Sequence, residues 1–170
     1  MELILRKLKK EEASYAYEFI KDAKEYLKDN NINQWQNGYP NINTIKEDAE
    51  KERGYFIVVD GICSGYICID FDGDPGYKDI VGKWISNGEY AVVHRMTIDS
   101  SFRGKGLAGS VLGEVEKLTV SHGVYSVKID TDESNRKMQH ILTSNGYLYC
   151  GTIISSDGGE RRAYEKILKK

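Results

Sequence analysis

The sequence predicts an α/β fold (mixed α+β): one central, mixed, twisted sheet of about seven strands flanked by about four helices, in a single domain over residues 1–170. Two observations carry this. The chain has 170 residues, 40% of them hydrophobic and 29% charged, which suits one ordinary globular core with no internal repeat, low-complexity tract or linker. Hydrophobic periodicity then switches along the chain between strand and helix in the order β-α-α-β-β-β-α-β-α-β-β. Hairpins in the middle and crossovers late in that order predict a mixed sheet.

Residues 2–8 (ELILRKL) read as a short strand. From 10 to 30 the spacing of Ala16, Phe19, Ile20, Ala23, Tyr26 and Leu27 is helical. The stretch 30–43 is rich in Asn, Gly and Pro and reads as a loop. It carries two large aromatics, Trp35 and Tyr39, which either shape a pocket or close the core beneath the loop. A shorter helix follows, with Ile42, Ile45 and Ala49 inward and Gly54 as its stop. Strands at 55–60 and 65–71 flank the Asp60-Gly61 turn signal, and a glycine-rich loop leads to a strand at 90–98. An amphipathic helix comes next, with Leu107, Val111, Leu112, Val115 and Leu118 inward and Gly123 at its end. A strand at 124–130, a helix at 135–144 and strands at 147–154 and 162–168 complete the order.

Charge excludes several functions. Twenty-four basic and 26 acidic residues leave a net charge of −2, with no field to draw in nucleic acid or an anionic membrane. Cys63, Cys68 and Cys150 show neither CxxC spacing nor an even count, so no disulfide framework or metal site is expected; buried small hydrophobes in a reducing compartment are. The first residues hold too short an apolar run for a secretory signal, and no run is long enough to span a bilayer. A soluble cytoplasmic protein is the expectation.

The segment Arg103-Gly104-Lys105-Gly106-Leu107-Ala108-Gly109 lies between a strand and a long helix. Its glycines free the backbone to turn N–H groups outward. The helix start adds unpaired amides and the positive end of its dipole, while Arg103 and Lys105 add charge at the rim. Together these suit a phosphate or pyrophosphate. A P-loop is excluded, because no GxxxxGK[ST] is present. Gly104-x-Gly106-x-x-Gly109 satisfies the dinucleotide GxGxxG as written, with Asp130 at about the distance of a ribose-binding acid. Context disfavours that reading, since residues 99–103 separate the strand from the first glycine and too few strands and helices follow.

Arg103-x-x-Gly106-x-Ala108 matches the [QR]xxGx[GA] motif that cradles the coenzyme A pyrophosphate in the GNAT superfamily of acetyl-CoA-dependent N-acetyltransferases. The strand YAVVHRMTI before it, and Asn135 with Gly146-Tyr147 after it, resemble the family's fourth strand and its NxxAxxLYxxxGF stretch. The final RRAYEKIL is similar to its closing strand. The resemblance implies that two neighbouring strands splay and that the pantetheine arm lies between them. On this chain it gives that arm the backbone of Met96, Thr97 and Ile98. The pyrophosphate falls to the amides of Arg103, Gly104, Lys105, Gly106, Leu107, Ala108 and Gly109, and the thioester end to Asn135.

The implied reaction is direct acetyl transfer from acetyl-CoA to a small-molecule or peptide amine. An alkylamine of pKa about 10 is only about 0.1% neutral at pH 7, so a base is expected. His94 is the candidate, with Glu89 or an acid from the hairpin strands as alternatives. By strand alternation His94 shares a face with Tyr90, Val92, Met96 and Ile98, so a satisfied core histidine is the competing reading. The family's tyrosine acid falls on Leu142, which has no hydroxyl; Thr143, Ser144, Tyr147 or Tyr149 are the substitutes within reach in sequence. That departure leaves room for a second class, a catalytically silent sensor of acyl-CoA. A homodimer is expected if the final strand lies exposed at a sheet edge.

Overall fold

The structure, a computed structural model, describes residues 1–155 and 158–170. Among the described residues eight strands form one mixed sheet: β1 (Leu3–Lys7), β2 (Gly54–Val59), β3 (Ile62–Asp70), β4 (Val81–Gly82), β5 (Ala91–Ile98), β6 (Ser126–Thr131), β7 (Leu148–Ile154) and β8 (Glu160–Ile167). Four α-helices accompany them: α1 (Ala13–Asp29), α2 (Ile42–Glu50), α3 (Leu107–Ser121) and α4 (Arg136–Ser144). The strand order is β1-β2-β3-β5-β6-β8-β7-β4. Every pairing is antiparallel except β5 with β6.

Helices α3 and α4 cover one face of the sheet. Leu107, Val111, Leu112 and Val115 of α3 bury against Ile57, Ile67, Val93, Val127 and Ile129. On the other face Ala16, Ile20, Ala23 and Leu27 of α1, with Ile45 of α2, bury against Phe56, Val58 and Tyr66. Side chains alternate between the two faces along β2, which is why that strand is buried throughout. Each fully buried Leu or Ile side chain contributes about 1.5–3 kcal/mol, so these two stripes fix which helix lies on which side. A third, smaller cluster forms where the segment after β3 folds over β5 and β8, with Tyr77 and Val92 at its centre.

The predicted order of helices and strands holds, with three corrections. A two-residue strand, β4, sits in the glycine-rich loop and pairs with β7; it is too short for any periodicity to announce it. Helix α2 ends at its C-cap, Lys51, and Gly54 instead opens β2. The final strand β8 is not an edge: it inserts between β6 and β7, leaving β1 and β4 at the margins. The ground for expecting a homodimer through that strand is removed. Cys68 is buried while Cys63 and Cys150 are half-buried, and all three are free thiols, so only Cys68 behaves as the buried hydrophobe expected. Among the described residues no helix is long and apolar enough to cross a membrane.

Candidate active site

The site begins with a gap in the sheet. β5 and β6 pair only at Ala91↔Val127, Val92↔Lys128 and Val93↔Ile129, although β5 runs on to Ile98. The cause is a bulge in β5. Its partner β3 pairs Cys68 with His94 and Tyr66 with Thr97, so β5 carries one residue more than β3 over that span. Arg95 takes up the excess with φ of 55°, a left-handed conformation unusual for a side chain with a Cβ.

The bulge also corrects the grouping of His94 with Met96 and Ile98. Ala91 and Val93 pack toward α3, but beyond the bulge it is Met96 and Ile98 that do so. Tyr90 and Val92 belong to the cluster on the opposite side. Simple alternation put His94, Met96 and Ile98 together, and the extra residue breaks that alternation.

A buried ionic network holds Arg95 in place. Its Nε donates to Asp48 Oδ2 at 3.0 Å and its Nη2 to Asp48 Oδ1 at 2.5 Å. Asp48 is fully buried and also accepts from Tyr66 Oη at 2.5 Å and Arg53 Nε at 2.9 Å. The third arm of Arg95, Nη1, donates to Tyr39 Oη at 2.6 Å and so ties the 30–41 loop to the bulge. A buried carboxylate so fully donated to is stable only as a complete set, because removing one member strands the others.

At the far end of the gap stands the glycine loop. Gly104 and Gly106 have φ of 78° and 72°, and a Cβ at either would meet nothing within 4 Å. The requirement for glycine there is conformational rather than steric. Gly106 is the N-cap of α3 and has no side chain to cap it. Helix geometry leaves the amides of Leu107, Ala108 and Gly109 without carbonyl partners, pointing out of the helix start. Arg103 turns back toward α1: its Nη2 is 3.0 Å from Asp22 Oδ2, and its guanidinium lies 4.3 Å from the Tyr26 ring centre.

Between the bulge and the loop lies a cleft of about 600 Å³. It brings together Met96, Thr97, Ile98, Asn135 and every residue from Arg103 to Gly109 except Lys105. Neither Lys105 nor His94 lines it. Asn135 caps α4, its Oδ1 accepting from Met138 N at 3.1 Å, while its Nδ2 donates to Gln34 Oε1 at 3.4 Å. Sequence reasoning missed Tyr26, Gln34, Arg95 and Lys137, which also line the cleft. No local pattern marks them, since α1, the following loop and α4 meet only in the fold. Trp35 belongs to the α1/α2 core and also lines the cleft.

A smaller cavity of about 50 Å³ adjoins the inner end of the cleft and is lined by His94, Asp74, Tyr39 and Trp35 among others. His94 Nε2 lies 3.5 Å from Asp74 Oδ2. Burial, with a smaller push from the Arg95 charge, drives the His94 pKa down to about 3, so the ring is neutral at physiological pH. Burial raises the Asp74 pKa, opposed by its hydrogen bond from Gly76 N. Beyond this cavity a polar recess of about 620 Å³ opens between residues 33–37 and residues 132–133 and 159–162. Arg161 lines both.

The hydroxyls considered in place of the missing tyrosine lie elsewhere. Leu142 is fully buried in the α3/α4 core. Tyr147 is buried beside it and donates to Glu116 Oε1 at 3.2 Å, so it faces α3. Tyr149 is exposed against Tyr164 and Arg162. Thr143 bonds back to its own helix, and of this group only Ser144 lines the cleft.

Comparison with known proteins agrees with this geometry. Residues 13–147 match the model of the acetyltransferase (GNAT) family. A GNAT-family acetyltransferase structure from Streptococcus agalactiae 2603 superposes with a TM-score of 0.88 at 32% identity, over 99% of this chain and 96% of that one. One from Listeria monocytogenes 4b F2365 does so at 0.78 and 19% identity, covering 99% and 96%. The aminoglycoside acetyltransferase AAC(6')-Ib, bound to ribostamycin and coenzyme A, shares the fold alone, at 0.72 and 17% identity over 98% and 94%. A search of curated proteins gives no match. With four-fifths of its length under the family model and a third of its residues shared with a GNAT relative over nearly the whole chain, this protein belongs to the GNAT family of acetyltransferases.

Proposed function

We propose that this chain transfers the acetyl group of acetyl-CoA to a primary amine by direct attack on the thioester. One observation carries the reading: a single cleft has the unpaired edge of β5 along its side and the amide-lined loop at its mouth. The amides from Gly104 to Gly109 donate to the pyrophosphate oxygens, helped by the α3 dipole. Past Val93 the backbone of β5 has no β6 partner, so Met96, Thr97 and Ile98 are free to pair with the amides of the pantetheine arm as an added strand. Asn135 stands at the thioester end.

The amine enters through the polar recess and attacks the carbonyl carbon; the carbon–sulfur bond breaks and its electron pair leaves on sulfur. His94 takes the amine's proton, directly or through water, and Asp74 at 3.5 Å stabilises the imidazolium so formed. Burial leaves the ring neutral but, with its pKa held down to about 3, a weak base, so the proton passes to it only as Asp74 stabilises the imidazolium. With Leu142 in the core, α4 offers no tyrosine to the sulfur, and a thiolate of pKa about 8.5 leaves without that proton donor.

The same Leu142 favours a second reading, a silent acyl-CoA sensor. Thiol release from acetyl-CoA across a panel of amines separates the two. The transferase releases thiol only when its amine is present. A sensor melts at higher temperature with acetyl-CoA and releases none with any amine.

A further inference from the structure

We infer that Trp35 limits the acyl donor to short chains, acting as the end wall of the cleft; this rests on the acetyl-CoA reading above. Trp35 lines both the long cleft and the small inner cavity, as do Val93, Arg95 and Asp130, so it stands at their junction. That junction lies where β5–β6 pairing ends, at Val93↔Ile129, the end of the cleft opposite the glycine loop. An arm that enters over the loop and follows β5 therefore delivers its acyl group to Trp35. Directly beyond it lies a cavity of about 50 Å³, on the scale of one or two water molecules, and the amine arriving from the polar recess must share that space with the acyl group.

The wall is fixed rather than yielding. Trp35 is only 9% exposed and has a φ of 65°, a left-handed conformation that a bulky residue holds only when its surroundings impose it. Its neighbours on both sides are tied down. Gln34 Oε1 accepts from Asn135 Nδ2, and Gln36 Nε2 donates to the carbonyl of Lys24 on α1 at 3.1 Å. Tyr39, further along the same loop, is held by Arg95. A two-carbon acyl group fits against such a wall, whereas each further methylene must displace the indole or distort the strand beneath it.

Calorimetric titration with coenzyme A, acetyl-CoA, propionyl-CoA and butyryl-CoA tests this without knowledge of the acceptor. The wild type should bind acetyl-CoA about tenfold or more tightly than butyryl-CoA, the scale on which a filled pocket rejects added methylenes. Trp35→Ala should bring the two within about threefold of each other, and Trp35→Phe should fall between, the latter serving if the alanine variant does not fold. Equal binding of acetyl-, propionyl- and butyryl-CoA by the wild type, or an unchanged preference in a folded Trp35 variant, overturns the inference. No binding of any of them, coenzyme A included, overturns the acetyl-CoA reading instead.

Discussion

The two ends of the cleft are made in opposite ways. The outer end is one continuous stretch, Arg103 to Gly109, in which two left-handed glycines and a helix start present amides. Its chemistry belongs to the backbone and survives whatever side chains surround it. The inner end is assembled from Trp35, Tyr39, Asp48, Asp74, His94 and Arg95, drawn from segments far apart in the chain and held by buried charge. On the proposed function, local construction serves a group common to every coenzyme A ester. On the same reading, distributed construction sets which acyl group and which amine meet there.

Breaking the inner end should cost the whole fold. Asp48→Ala removes the acceptor for Arg95, Arg53 and Tyr66 together and leaves a buried guanidinium uncompensated. The expected loss is about 3–5 kcal/mol of unfolding free energy, read by urea denaturation. A loss under about 1 kcal/mol would mean the bulge does not depend on this carboxylate.

A smaller effect sharpens the same contrast through pH. His94 is held neutral with its pKa pushed down to about 3, below the ordinary value near 6.5. The unfolded chain therefore binds a proton at this position between those values while the folded chain does not. Its contribution is fully present above pH ~6.5 and is lost as pH falls toward ~3, with a slope of at most about 1.4 kcal/mol per pH unit. His94→Gln should flatten that acid limb in pH-dependent melting and leave stability above pH ~7 changed mainly by packing. An unaltered acid limb would show that His94 titrates normally.

The same division decided how much could be read from the sequence. The glycine loop, the helix after it and the apolar stripes of α1 and α3 are local patterns, and the structure bears each of them out. The element order was legible for the same reason, apart from the two-residue β4. The bulge was not legible, because nothing in YAVVHRMTI signals that Arg95 will turn left-handed. That depends on Asp48, 47 residues earlier. With the bulge unseen, strand alternation put Met96 and Ile98 on the face of His94, Val92 and Tyr90. The insertion of β8 between β6 and β7 was hidden likewise, since a strand's own pattern says that it is half-buried and not which neighbours bury it.

The central claim is that the loop's backbone holds the coenzyme A pyrophosphate, and acetyl-CoA calorimetry on Gly106 variants tests it most directly. A Cβ at this position meets open space, so Gly106→Glu brings a carboxylate to the loop without a steric clash, although φ of 72° strains any residue with a Cβ. Gly106→Asn controls for that strain, because Asn tolerates the left-handed region and carries no charge. The account predicts tight binding by the wild type, a loss of about 100-fold in the Glu variant and about tenfold or less in the Asn variant. Wild-type affinity in a folded Glu variant would contradict it, as would a folded wild type that binds no acetyl-CoA.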